Sequence, residues 1–197
     1  MLTQLATVKS RLALVITDYD DLLTNAIKAV SDRFDKETNR TLSRTTSATH
    51  EFDATDTEIL PRCYPVESVT KFELKSDETD GWSEQTGVQY LIRRQCVISL
   101  SVPLNSQLST LNSPALARVT LTGGYVLPGT SPSAGQTALP DDLEQAAVEQ
   151  VAYWFRNRES TGLVRSWPHD GTYEVFAQSD LLLEARTVLK KYERFLL

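Results

Sequence analysis

The hydrophobic period of this chain changes twice, and those two changes restrict the folds open to it. Up to about residue 40 the apolar side chains recur at helical spacing, from Thr41 to about Thr122 they alternate, and from Pro140 the helical spacing returns. A helix buries a stripe and a half-buried strand buries every second residue, so helices must come from both ends of the chain and a sheet from its middle. We expect an α+β fold: a four-helix frame, two helices N-terminal and two C-terminal, with a small antiparallel β subdomain inserted between the second and third helices. The expected parts are a helical pair over 1–40, a β-rich insertion over 41–122, a loop over 123–139 and C-terminal helices over 140–197 joined by a linker 159–178, together one structural domain with an insertion. At 197 residues and 41% hydrophobic content, such a chain can bury a core without disulfides.

The helix limits follow from local chemistry. Leu2, Leu5, Val8 or Lys9, and Leu12 fit a short first helix with Thr3 as its cap. Asp18, Asp20 and Asp21 place negative charge at the start of a second, from about 20 to 38, whose stripe is Leu22, Leu23, Ala26, Ile27, Val30 and Phe34. Pro140 opens a third in the first-turn position that proline tolerates, followed by Asp141, Asp142 and Glu144 and closed by Arg156 and Arg158. Ser179 caps a fourth, running to the C-terminus with Leu182, Ala185, Val188, Leu189 and Tyr192 inward.

Strands are expected over Thr46–Phe52, Glu58–Leu60, Ser68–Leu74, Val88–Ile92, Cys96–Leu100 and Ala117–Leu121. The stretch Asp77-Glu78-Thr79-Asp80-Gly81 reads as an exposed hairpin tip, and Gly123–Ala138 as a loop.

Charge and motif content exclude several functions. Twenty Lys and Arg against 26 Asp and Glu leave a net charge of −6, which disfavours a dedicated nucleic-acid binder, because general affinity for phosphate needs clustered cations. No apolar run approaches the roughly 18 residues of a membrane span, and Lys9 and Arg11 lie inside the first apolar pattern rather than ahead of it, so neither a membrane nor a secretion signal is expected. Cys63 and Cys96 belong to no CxxC set and read as reduced packing thiols. His50 and His169 have no ligand-spaced partner, so no metal is expected, and surface or loop positions are their default. Gly123-Gly124 lacks the GK[ST] of a phosphate loop and reads as a turn. Asp141 and Asp142 point about 100° apart in a first helical turn, which suits capping rather than acid–base work. Ser166, His169 and Asp170 carry the letters of a hydrolase triad without the separate elements or the oxyanion hole one needs, so no catalytic residue is assigned.

One segment exceeds what a single amphipathic helix should carry. Val151-Ala152-Tyr153-Trp154-Phe155 makes the third helix apolar nearly all round, which demands cover on more than one side, from its own chain or from another subunit. The ending Phe195-Leu196-Leu197 is likewise apolar where termini are usually polar, and it is expected to dock onto another surface.

Several stretches, taken in order, carry a resemblance. MLTQLATVKSRLAL is followed by the acidic DYDDLLTNAIKAVSDRFDKETNR, whose Thr38-Asn39-Arg40 has Asn in place of a typical Gly; then come LPRCYPVESVTKFEL, ARVTLTGGY and, most specific, ALPDDLEQAAVEQVAYWFRNRES. In these the chain resembles the phage head-tail connector, or adaptor, family, in the branch with a β-rich insertion between helices two and three, over roughly residues 1 to 160. Beyond about Glu159 the final helix matches in type alone.

The resemblance implies a structural protein rather than an enzyme, with no cofactor. It implies a homo-oligomeric ring of twelve copies beneath the portal protein of a virion, extending the DNA channel and docking a downstream stopper or tail protein, after synthesis in the host cytoplasm. DNA would pass without sequence-specific binding. On this reading Tyr153, Trp154, Phe155, Tyr192, Phe195, Leu196 and Leu197 form subunit or portal interfaces. The acidic loops with Asp53, Asp56, Glu58, Asp77, Glu78 and Asp80 face the channel and repel the DNA backbone. The alternatives are another virion tail-completion or stopper protein, which usually lacks the four-helix frame, and a small hydrolase.

Overall fold

The computed structural model describes residues 1–79, 81–107, 115–160 and 181–194. The chain forms two units, each assembled from segments distant in sequence: Met1–Thr38, Leu127–Gly129 and Leu139–Glu193 in the first, and Asn39–Val126, Thr130–Ala138 and, after the last helix, Arg194 in the second.

The first unit is the helical frame: α1 (Leu5–Leu12), α2 (Asp20–Thr38), α3 (Asp141–Arg156) and α4 (Leu183–Tyr192), with α3 packed against each of the other three. That central place explains the apolar excess of α3, which buries Leu143, Ala146, Ala147, Val148, Val151, Ala152 and Phe155 around most of its girth. The stripe of α2 is Leu23, Ile27, Val30 and Phe34, each worth roughly 1.5–3 kcal/mol when withdrawn from water. Lys9 on α1 meets Asp20 at the start of α2 at 2.6 Å, joining a helix end to a carboxylate in the favourable macrodipole sense.

The second unit is the β subdomain. Its four-stranded sheet has the order β1 (Thr45–Asp53), β7 (Leu116–Gly123), β3 (Val66–Lys75), β4 (Ser83–Gln85), and its three-stranded sheet the order β2 (Glu58–Ile59), β6 (Val97–Leu100), β5 (Tyr90–Arg93), all neighbours antiparallel. Phe52, Phe72, Leu74, Ala117, Val119 and Leu121 of the larger sheet share one buried cluster with Ile59, Ile98 and Leu100 of the smaller. On the opposite face Glu51, Arg118, Glu73 and Glu84 stand in one cross-strand row, where Arg118 donates to the buried Glu73 at 2.9 Å and lies 4.2 Å from the Trp82 ring centre. A third pair, β8 (Tyr125–Val126) and β9 (Thr137–Ala138), is parallel. Gly124, with φ +96°, makes the sharp approach to β8, where a Cβ would stand 2.6 Å from the Ser43 carbonyl oxygen.

Several expectations are corrected. Thr3 does not cap α1; Gln4 occupies that position without a side-chain bond, and the Thr3 hydroxyl donates to Glu144 at 3.3 Å. Leu22 and Ala26 leave the α2 stripe, Leu22 being exposed, because they sit about 100° from the buried line. The fourth helix stops at Tyr192, where Glu193 turns extended; the expected Ser179 cap lies outside the described residues. Strand β4 and the β8–β9 pair occupy segments expected to be loop or turn. Asp53 and Glu58 sit on strand ends rather than within loops.

Candidate assembly surface

The register of β7 brings two acidic segments together. Leu116 pairs with Asp53 on one side and with Lys75 on the other, so the end of β1 and the start of the β3–β4 hairpin tip flank the same residue. Asp53, Lys75, Ser76, Asp77, Glu78, Ala115 and Leu116 line a depression of about 360 Å³ there. Asp53 accepts from the Thr55 hydroxyl at 2.6 Å and its amide at 2.9 Å, and Asp77 accepts from the Thr79 amide at 2.7 Å. These bonds hold both carboxyls below the usual carboxylate range, so both stay ionised near neutral pH. Glu78 projects into solvent from the tip, touching Lys75 at 2.5 Å. Asp56 stays in the turn after β1, its amide on the Asp53 carbonyl at 2.9 Å, and Glu58 is engaged by Arg93 at 3.1 Å on the smaller sheet. Asp80 lies outside the described residues.

The aromatic end of α3 divides in two. Phe155 is buried against Tyr19, ring centres 5.2 Å apart, with the Arg158 guanidinium 4.4 Å from its own ring centre, whereas Tyr153 and Trp154 remain half-buried. Tyr192 donates its hydroxyl to Asp142 at 2.6 Å, tying the end of α4 to the start of α3. That bond also gives Asp142 a structural task, although Pro140 rather than an aspartate holds the N-cap. Phe195, Leu196 and Leu197 lie outside the described residues, as do Ser166, His169 and Asp170.

Two features were not anticipated from sequence. The α1–α2 connection exposes Val15 at 92% and Ile16 at 51%, with Leu22 at 45% on the next helix; the visible signal was the run Leu14-Val15-Ile16 where a short helix connection is normally polar. The other is a basic group in the β unit. His50 is half-buried on β1 rather than at a surface or loop site, and burial, then Arg194 and Arg62, push its pKa down to about 4. Arg194 donates through Nε and Nη2 to the Leu60 carbonyl at 3.0 and 2.6 Å. No periodicity links residues so far apart in the chain.

The remaining chemistry is structural. Cys63 is buried with Sγ donating to the Gly123 carbonyl at 2.9 Å, and burial pushes its thiol pKa up. Cys96 is a second free thiol. Among the described residues no group of three or more His, Cys, Asp or Glu could hold a metal ion, and no helix is long and apolar enough to cross a membrane.

A family model described as head completion protein matches residues 1–195. No curated protein matches the chain. Among solved structures, the neck of an empty gene transfer agent particle computed with C6 symmetry is similar at a TM-score of 0.58 and 16% identity, covering 98% of this chain and 90% of that one. The neck of the native particle computed with C12 symmetry is similar at 0.55 and 16%, covering 98% and 89%. At such identity the likeness is one of fold.

Proposed function

The chain belongs to the head completion protein family, and from that premise we propose that it is a structural head-to-tail adaptor of a tailed bacteriophage. In this reading copies close into a ring beneath the portal, twelve in number, that lengthens the DNA channel and presents the docking surface for the next connector, stopper or tail component. The family match over residues 1–195 carries the proposal. Support comes from the fold shared with necks of symmetric particles, and the protein's place is accordingly the head–tail interface of the virion.

The surfaces have the chemistry such a ring requires. Closed rings are built from heterologous contacts, in which one patch meets a different patch on the next copy. Half-buried Tyr153 and Trp154 supply the aromatic anchors that interfaces favour, and Val15 and Ile16 add aliphatic surface that water leaves costly. Phe155 acts indirectly, by fixing Tyr19 and Arg158. Carboxylates around Asp53 and Asp56 face the channel, where repeated negative charge keeps the DNA backbone from adhering as the genome moves.

Imaging of the full chain mixed with portal particles tests this reading. Added density with rotational symmetry below the portal is expected. A single bound copy, or no added density, overturns it.

A further inference from the structure

The β unit holds cations without a counter-charge. Arg44, Arg93 and Arg118 of that unit each touch a carboxylate, of Glu67, Glu58 and Glu73 respectively. Arg62 and Arg194, among the described residues, touch none. Arg194 is not a loose side chain, because two of its N–H groups are fixed on the Leu60 carbonyl, two residues before Arg62. Each guanidinium lies near enough to His50 to disfavour protonation of the imidazole, and Arg62 acts on Arg194 in the same way. Strand β1, which carries His50, is an edge strand of its sheet among the described residues. Two like charges near one another in a chain of net charge −6 make this place attractive to an anion.

From this arrangement we propose that Arg62 and Arg194, beside His50, form a carboxylate-receiving seam, and that its occupant is the Asp77–Glu78 hairpin tip of a second copy of the chain. Charge complementarity within one sequence selects that occupant. The tip projects Glu78 into solvent beyond the Leu116 end of β7, while Arg62 adjoins Cys63, whose carbonyl abuts the Gly123 end. Opposite charges held at separate places on one copy, the tip beyond Leu116 and the seam running from mid-strand His50 toward Arg62, give the pattern of a head-to-tail contact, which repeats around a ring. The proposal rests on the ring reading above and assigns Asp77 and Glu78 to the contact between neighbours, leaving Asp53 and Asp56 to the channel.

The experiment compares full-length wild type, Arg62→Glu, Glu78→Lys and a 1:1 mixture of the two variants, with rings counted by native mass spectrometry and on portal particles by electron microscopy. Both substitutions fall at exposed positions, so circular dichroism of each variant should match wild type. The expected result is a ring population about tenfold lower for each variant alone, restored in the mixture, where the two variants alternate around an even-numbered ring and native seam–tip pairs alternate with doubly reversed ones. Wild-type rings should also weaken as salt rises. Rings from either variant alone at the wild-type level overturn the seam while leaving the ring reading intact. Intact rings that have lost attachment to portal particles, or lost retention of DNA, likewise overturn it and assign the cations to that partner. Wild type that forms no ring in either setting overturns the ring reading itself.

Discussion

The Leu182 amide donates to the Gln150 Oε1 at 2.8 Å, and Gln150 is wholly buried in the middle of α3. A buried amide side chain is tolerated there because it satisfies a backbone donor at the start of α4, a helix that has no side-chain cap of its own. Replacing Gln150 with Leu leaves that donor unsatisfied in a closed space. The expected loss is about 2 kcal/mol, read as a lower denaturant midpoint with an unchanged slope.

Glu73 is a second buried polar group, matched by cations on both sides: Lys71 at 2.9 Å and Arg118 at 2.8 Å. Desolvation raises its pKa, and the bonds from Lys71 and Arg118 more than offset that, holding the carboxyl below its ordinary value of 4.5. Its contribution to stability is therefore complete above that value and is lost as pH falls further. Arg118→Ala, which leaves the buried carboxylate to Lys71 alone, should cost about 1–2 kcal/mol at pH 7 by chemical denaturation. Glu73→Gln with Arg118 retained should cost less and should flatten the acid limb of the stability curve.

His50 acts on the same acid flank of that curve, at higher pH. Its folded pKa of about 4 lies below the ordinary 6.5, so the unfolded chain takes up a proton that the folded chain refuses, and stability falls as pH drops from about 6.5 toward 4. Allowing for solvent screening of a half-buried ring, the effect is on the order of 1 kcal/mol. His50→Gln should remove the slope in that window. A His50 resonance titrating above 6 in the isolated chain would contradict it.

Val15 is almost fully exposed and Ile16 about half, so Val15→Ser should leave the unfolding midpoint unchanged within about 0.5 kcal/mol and Ile16→Ser should lower it by no more than about 1 kcal/mol. Under the ring reading the same pair should reduce assembly on portal particles. A large loss of stability in the isolated chain would instead mean that these side chains serve their own fold.

What the sequence made legible was local. Asp20 with Asp21, and Pro140 with the acidic turn after it, mark the starts of α2 and α3 because capping and macrodipole effects act within one helical turn. Strand β4 escaped notice because Ser83-Glu84-Gln85 has neither alternation nor branched side chains; it exists through its pairing with Phe72, Glu73 and Leu74. The β8–β9 pair joins Tyr125 to Thr137 across a turn-rich segment, and two-residue strands leave no period to read. The family-like order of motifs pointed to a connector, yet the meeting of Asp53 with Asp77 depends on the register of Leu116, and that of His50 with Arg194 on tertiary packing.

The segmented build of the helical unit has a consequence during synthesis. Leu23, Ile27, Val30 and Phe34 leave the ribosome with α2, but α3, which covers them, follows only after the whole β unit has been made, about a hundred residues later. At roughly 5–20 residues per second, that greasy stripe waits on the order of 5–20 seconds for its cover. Nascent chains are therefore exposed to chaperones and to each other throughout that interval, and the yield of competent subunits should rise when translation runs faster or a holdase is supplied.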